Sequence, residues 1–236
     1  MTPYEKAWQA IEARIAAAAL AASRDPAQIR VLAVSKSIPS AAIGDAWRAG
    51  QRMFGENYVQ EAIAKKKELG DLQGSQWHLI GPLQGNKARL AADAFDWVQS
   101  IDRLPIAERL SAARSPGMPA LNVCVQVNIS GEASKSGCVP ESAPALAAAV
   151  AQLPRLSLRG YMGIAQESPD TTRTRAQFRA LREIYEATRA QGHALDTLSM
   201  GMSGDLEVAV AEGATLLRIG SALFGQRPPR IELESS

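Results

Sequence analysis

The chain has 236 residues, 46% of them apolar and 21% charged, which suffices for one large core and a solvated surface. A net charge of +2 gives no electrostatic case for a nucleic-acid partner or a membrane surface. No apolar run approaches the roughly 18 residues of a membrane span, and two cysteines without CxxC spacing, Cys124 and Cys138, point to a reduced, cytosolic protein without disulfides.

The first element is a helix, because Trp8, Ile11, Ile15, Ala18 and Ala19 recur at helical spacing. The alanine-rich run 15–22 imitates a signal-peptide core, but Glu5, Lys6, Glu12 and Arg14 interleave both signs of charge before it. That mixture suits an amphipathic helix. Short apolar runs then alternate with alanine-rich helical stretches. Strands are expected at 30–35, 52–55, 77–80, 97–100, 121–128, 157–161, 197–200 and 216–220. Helices are expected at 41–49, 58–69, 84–94, 104–113, 141–153, 171–191 and 205–212. Strands joined by helices imply βαβ units and a parallel sheet. Eight such units with an extra helix in front predict a single (β/α)8 barrel of the TIM type. An open doubly wound sheet is the alternative, but it usually shows fewer strands and often a glycine fingerprint after the first. Here the first strand runs into Ser35-Lys36-Ser37-Ile38-Pro39. One domain, 1–236, accounts for the chain, with its core over about 5–227 and a polar tail from Arg227 expected to fray.

Polar and glycine residues gather after the strands, at the end where such barrels carry their chemistry. Lys36 follows the first strand. Alone, it reads first as a lysine reaching for solvent. In an apolar pocket it could lose its proton and form a Schiff base with a carbonyl. After strand seven come Ser199-Met200-Gly201-Met202-Ser203-Gly204, and after strand eight Arg218-Ile219-Gly220-Ser221. Glycines admit close approach of backbone N–H groups and serines donate hydroxyls, the makings of a phosphate cradle. Ser203 also reads as the N-cap of the helix starting near Asp205. Barrel closure makes strands one and eight neighbours. Amine and cradle then fit a ligand with a carbonyl at one end and a phosphate at the other, such as pyridoxal 5′-phosphate.

Six ordered segments carry a resemblance. They are Ala33-Val34-Ser35-Lys36, Phe54-Gly55-Glu56-Asn57-Tyr58, Trp77-His78-Leu79-Ile80-Gly81-Pro82-Leu83-Gln84, Gly160-Tyr161-Met162, Ser199-Met200-Gly201-Met202-Ser203, and Arg218 through Gly225. Together they resemble the signature segments of the pyridoxal phosphate homeostasis protein family, whose barrel is that of the alanine racemase N-terminal domain. The resemblance implies a Schiff base at Lys36. It implies Ser203, Gly220 and Ser221 at the phosphate with Ser199 nearby, Asn57 beside the cofactor, and Arg218 near the pyridine nitrogen. It implies a cytoplasmic, monomeric carrier or reservoir of the cofactor rather than an enzyme, with pyridoxal phosphate-dependent apoenzymes as partners. One departure is Ile38, where many relatives carry a basic residue. Lys135 could supply a second basic group or be a solvated loop lysine. Lys87 and Arg103 read as surface charges, His78 as structural and His193 as solvated, and two separated histidines do not suggest a metal site.

Two other functions compete. One is a pyridoxal phosphate-dependent amino-acid racemase, the other an aldolase-like barrel with Lys36 attacking substrate carbonyls. Racemisation needs acid–base groups on both faces of a carbanion. In alanine racemase one comes from a second domain of a partner subunit, which this chain is expected to lack. An arginine at the pyridine nitrogen also leaves the ring a weaker electron sink, because it stays protonated and disfavours a protonated ring.

Overall fold

The computed structural model describes residues 1–225, so the expected core boundary at 227 and the expected fraying from Arg227 lie outside the described residues. The strands are β1 (Arg30–Val34), β2 (Met53–Glu56), β3 (Gln76–Leu79), β4 (Trp97–Ile101), β5 (Leu121–Val127), β6 (Leu156–Gly163), β7 (Thr197–Ser199) and β8 (Leu216–Ile219). The helices are α1 (Pro3–Ala21), α2 (Ser40–Arg48), α3 (Val59–Leu69), α4 (Ala88–Ala94), α5 (Leu104–Ala113), α6 (Ala143–Ala151), α7 (Thr171–Ala190), α8 (Leu206–Ala211) and α9 (Ser221–Phe224). The strands form a closed barrel in chain order, all neighbours parallel. The ring shuts where β1 pairs with β8, Leu32 opposite Arg218 and Ala33 opposite Ile219. The (β/α)8 barrel with an extra N-terminal helix is therefore the fold.

Local chemistry explains the elements. The Thr2 hydroxyl accepts the Glu5 N–H while the Glu5 carboxylate accepts the Thr2 N–H, a capping box that starts α1 with Pro3 in its first turn. This helix buries Tyr4, Ile11, Ile15, Ala18 and Ala19. Seven strands, all but β6, differ from expectation by a single residue at one or both ends. β6 runs on to Gly163 because Met162 and Gly163 still pair with Gln126 and Val127. Two expected helices, 84–94 and 141–153, begin instead as 3-10 turns, Gly85–Lys87 and Pro140–Ser142, before α4 and α6. α9 was not expected, since four residues carry no periodicity.

The barrel interior is not wholly apolar. Arg218 Nη1 donates to Ser199 Oγ at 2.8 Å, Ser199 Oγ donates to Gln99 Oε1 at 2.6 Å, and Gln99 Nε2 lies 2.9 Å from His78 Nδ1. β4 and β7 are not ladder neighbours, so the Gln99–Ser199 bond crosses the interior. The Gln99 amide N–H makes His78 Nδ1 an acceptor and puts the ring proton on Nε2. His78 stacks on Trp97 with centroids 5.0 Å apart. Burial, aided by the charge of Arg30, pushes its pKa down to about 3. His78 is a neutral core residue.

Gly160 shows how tightly β6 meets β7. It has φ +151°, and an added Cβ would lie 1.8 Å from the Thr197 carbonyl oxygen. Gly160→Ala is expected to lower the unfolding free energy by about 3 kcal/mol, read from urea denaturation. His78 gives a second expectation. Its folded pKa lies below the ordinary 6.5, so the unfolded chain takes up a proton first as pH falls. Its contribution is complete above pH 6.5 and is lost progressively toward pH 3, at no more than about 1.4 kcal/mol per unit. Urea titrations between pH 7 and 4 will show that slope, and His78→Gln will flatten it.

Candidate functional site

The C-terminal ends of the strands open into a cavity of about 930 Å³. Lys36, Asn57, Ser203, Arg218, Gly220 and Ser221 all line it. Ser199 does not. It is the last residue of β7, fully buried, and holds Arg218 from below.

Lys36 sits in a tight turn. The Ser35 N–H donates to the Gly55 carbonyl at 2.9 Å, extending the β1–β2 ladder by one rung. The Ile38 N–H then donates to the Ser35 carbonyl at 3.0 Å, closing residues 35–38 into a loop with Lys36 second. Ser37, third, has φ +59°, a left-handed conformation that costs a residue with a Cβ roughly 1–2 kcal/mol. Ile38 is 4% exposed, so the position where a basic residue was sought is committed to the core.

Behind this turn lies a buried ion cluster on the outer wall of the barrel. Lys65 Nζ, from α3, donates to the Ser35 carbonyl at 2.7 Å, Glu56 Oε1 at 2.8 Å and Glu61 Oε1 at 2.7 Å, occupying all three protons. Ser35 Oγ donates to Glu56 Oε1 at 2.6 Å, and the Ser37 N–H donates to Glu61 Oε1 at 2.6 Å. Burial pushes the Glu56 carboxyl up, and Lys65 opposes the shift. Removing one member of such a cluster strands a buried charge, at about 3–5 kcal/mol.

Asn57 is placed by a close approach of two loops. A Cβ on Gly81 would fall 2.3 Å from the Asn57 carbonyl oxygen, so the chain after β3 passes Asn57 only with glycine there. Arg218 Nη2 donates to the Gly163 carbonyl at 2.8 Å, which with Ser199 fixes the guanidinium at the cavity floor. Burial lowers its pKa to about 10, opposed by the nearby Asp205, and it stays charged at neutral pH.

The reading of Ser203 as a helix cap is corrected: the N-cap of α8 is Asp205. Asp205 Oδ1 accepts the Met202 N–H at 2.5 Å, folding the loop so that Ser203 lines the cavity. The Ser203 carbonyl accepts from Arg14 Nη2 at 3.0 Å, and Arg14 also pairs with Glu207 at 2.7 Å. Lys135 is exposed and lines the cavity, whereas Lys87 and Arg103 do not, Arg103 pairing with Asp102 at 2.8 Å. His193 is half-buried rather than fully solvated. The sequence reading missed Gln126 and the run Gln166-Glu167-Ser168, which also line the cavity. The signal was the polar stretch after strand six, hidden because that strand was ended early at Tyr161.

The family described as alanine racemase, N-terminal domain, matches residues 8–228. The pyridoxal phosphate homeostasis protein of Pseudomonas aeruginosa is 57% identical over 217 residues, 92% of this chain and 93% of that protein. The protein of the same name from Escherichia coli K12 is 49% identical over 216 residues, 91% of this chain and 92% of the relative. Among solved structures, PipY of Synechococcus elongatus with pyridoxal phosphate bound is 41% identical, with a TM-score of 0.78 over 91% of this chain and 100% of PipY. The chain belongs to the pyridoxal phosphate homeostasis protein family, within the alanine racemase N-terminal domain group.

Proposed function

We propose that this protein binds pyridoxal 5′-phosphate through Lys36 and acts as its carrier or reservoir, without turnover of its own. The observation that carries the reading is the meeting of Lys36, Arg218 and the β7 and β8 loops on one cavity. The donor set fits the cofactor at each of its ends. The Lys36 amine supplies a nucleophile, and the bound cofactor's aldehyde supplies the electrophile. With the cofactor bound, Lys36 Nζ would bond to its aldehyde carbon, the carbonyl oxygen leaving as water with the two amine hydrogens. The hydroxyls of Ser203 and Ser221 and the backbone at Gly204 and Gly220 are suited to the phosphate. Arg218, charged and fixed by Ser199 and Gly163, would donate to the pyridine nitrogen. Asn57, on the same cavity, would lie beside the ring. PipY with the cofactor bound and relatives named for its homeostasis support the assignment.

The non-enzymatic part of the proposal rests on chemistry. A permanent cation at the ring nitrogen keeps that nitrogen unprotonated, which weakens the ring as a sink for a carbanion's electrons. A wide cavity suits exchange better than sequestered proton transfer. Pyridoxal phosphate-dependent apoenzymes are the proposed recipients, and a monomer in a reducing cytoplasm the proposed state. The unpaired thiols of Cys124 and Cys138 support that compartment.

The purified protein is expected to be yellow, and borohydride is expected to fix the cofactor on Lys36. Lys36→Ala will lose the visible absorption. A colourless wild type that takes up no pyridoxal phosphate would sink the proposal. Racemisation of alanine or serine is expected to stay below about 1 per second, the lower edge of ordinary enzyme turnover; steady faster turnover would restore the racemase reading.

A further inference from the structure

The cofactor assignment leaves the Lys65–Glu56–Glu61 cluster unused. These residues do not line the cavity. They sit on the opposite face of the barrel wall, because strand residues alternate in direction: Lys36 and Asn57 face the cavity, while Ser35 and Glu56 point out toward α3. Ion clusters that merely join a helix to a sheet bond side chain to side chain. This one grips backbone, on both sides of the lysine. Lys65 holds the carbonyl of Ser35, the residue before Lys36, and Glu61 holds the N–H of Ser37, the residue after it. Both grips converge on one atom, Glu61 Oε1, which also accepts from Lys65. The residue held by Glu61 is also the one in a left-handed conformation, where a serine does not rest unaided. α3 therefore supplies the force that keeps the turn in its present shape.

We propose that Glu61 and Lys65 are positioning residues that fix the 35–38 turn, so that they set how fast Lys36 releases its aldehyde ligand. The inference rests on the reading of Lys36 as the Schiff-base lysine. An amine on a fixed turn meets the aldehyde already oriented, and less freedom is lost on bonding. If the grip is loosened, the turn relaxes, Lys36 samples other directions, and the bound state loses its advantage mainly through faster release.

The test uses the full chain loaded with pyridoxal phosphate, with release followed by absorbance after dilution. Glu61 is the residue to vary because its side chain is 26% exposed, unlike Glu56. Glu61→Ala is expected to release the cofactor about tenfold faster, whereas Glu61→Gln, which keeps the acceptor for the Ser37 N–H, stays within about twofold of wild type. A role confined to stability would lower the melting temperature of Glu61→Ala and leave release unchanged, and that outcome overturns the inference. So does equal acceleration in both variants, which would point to charge rather than to the grip. Amide exchange at Ser37 in the wild type gives a measurement free of any mutant: protection is expected, and free exchange overturns the grip. Borohydride trapping separates the two readings. An adduct mapped away from Lys36 in wild type removes the cofactor assignment itself, whereas an adduct on Lys36 with unaltered release in Glu61→Ala removes only the positioning role.

Discussion

Backbone hydrogen bonds between β1 and β8 turn eight strands into a ring, and nearly everything else about the molecule follows from that seam. Leu32 lies opposite Arg218 and Ala33 opposite Ile219, so the chain leaves both strands at the same rim. Lys36 and Ser221, far apart in sequence, become neighbours around one mouth. Parallel pairing also forces each connection to cross back outside the ring, which wraps the strands in helices and buries both faces. A seam shifted by one residue would exchange inward and outward side chains all along β8 and take Arg218 out of the cavity.

Two polar networks occupy opposite sides of the wall so formed. Inside, Arg218, Ser199, Gln99 and His78 bond in series from the cavity floor into the core. Outside, Lys65, Glu56 and Glu61 bond to one another and to the turn around Lys36. Neither is an economical way to gain stability, since well-packed apolar side chains would serve as well. Each instead specifies direction. One aims a guanidinium, the other shapes the turn that carries an amine, and the two groups face the same space.

The alternation of strands and helices was plain in the sequence because apolar runs and alanine-rich stretches change period cleanly. Lys36, Asn57, Ser203, Arg218, Gly220 and Ser221 were legible as residues of one cavity because in this architecture the strand ends open on a common mouth. Ser199 was misplaced by one layer. β7 has only three residues, too short for its pattern to show which side chains face the mouth. Ser203 and Asp205 competed for one cap, and only the folded loop shows Asp205 at that position, its carboxylate turned back to the Met202 N–H. Lys65 looked like any member of the run Lys65-Lys66-Lys67. Its phase gave it away in principle: Val59, Ala62 and Lys65 recur every third residue and form the buried face of α3. Glu61, four residues before it on the same helix, could be paired by spacing, but Glu56 on a strand and the Ser35 carbonyl in the turn could not.

α1 stands outside the barrel's repeating count, yet Arg14 reaches from it to the carbonyl of Ser203. In a trans peptide the carbonyl and the next N–H point in opposite directions. By drawing that oxygen outward, Arg14 turns the N–H of Gly204, a cavity residue, away from itself. A helix that contributes no side chain to the mouth thereby dictates the polarity of a peptide at its edge: rotating that one plane would exchange the N–H for an oxygen.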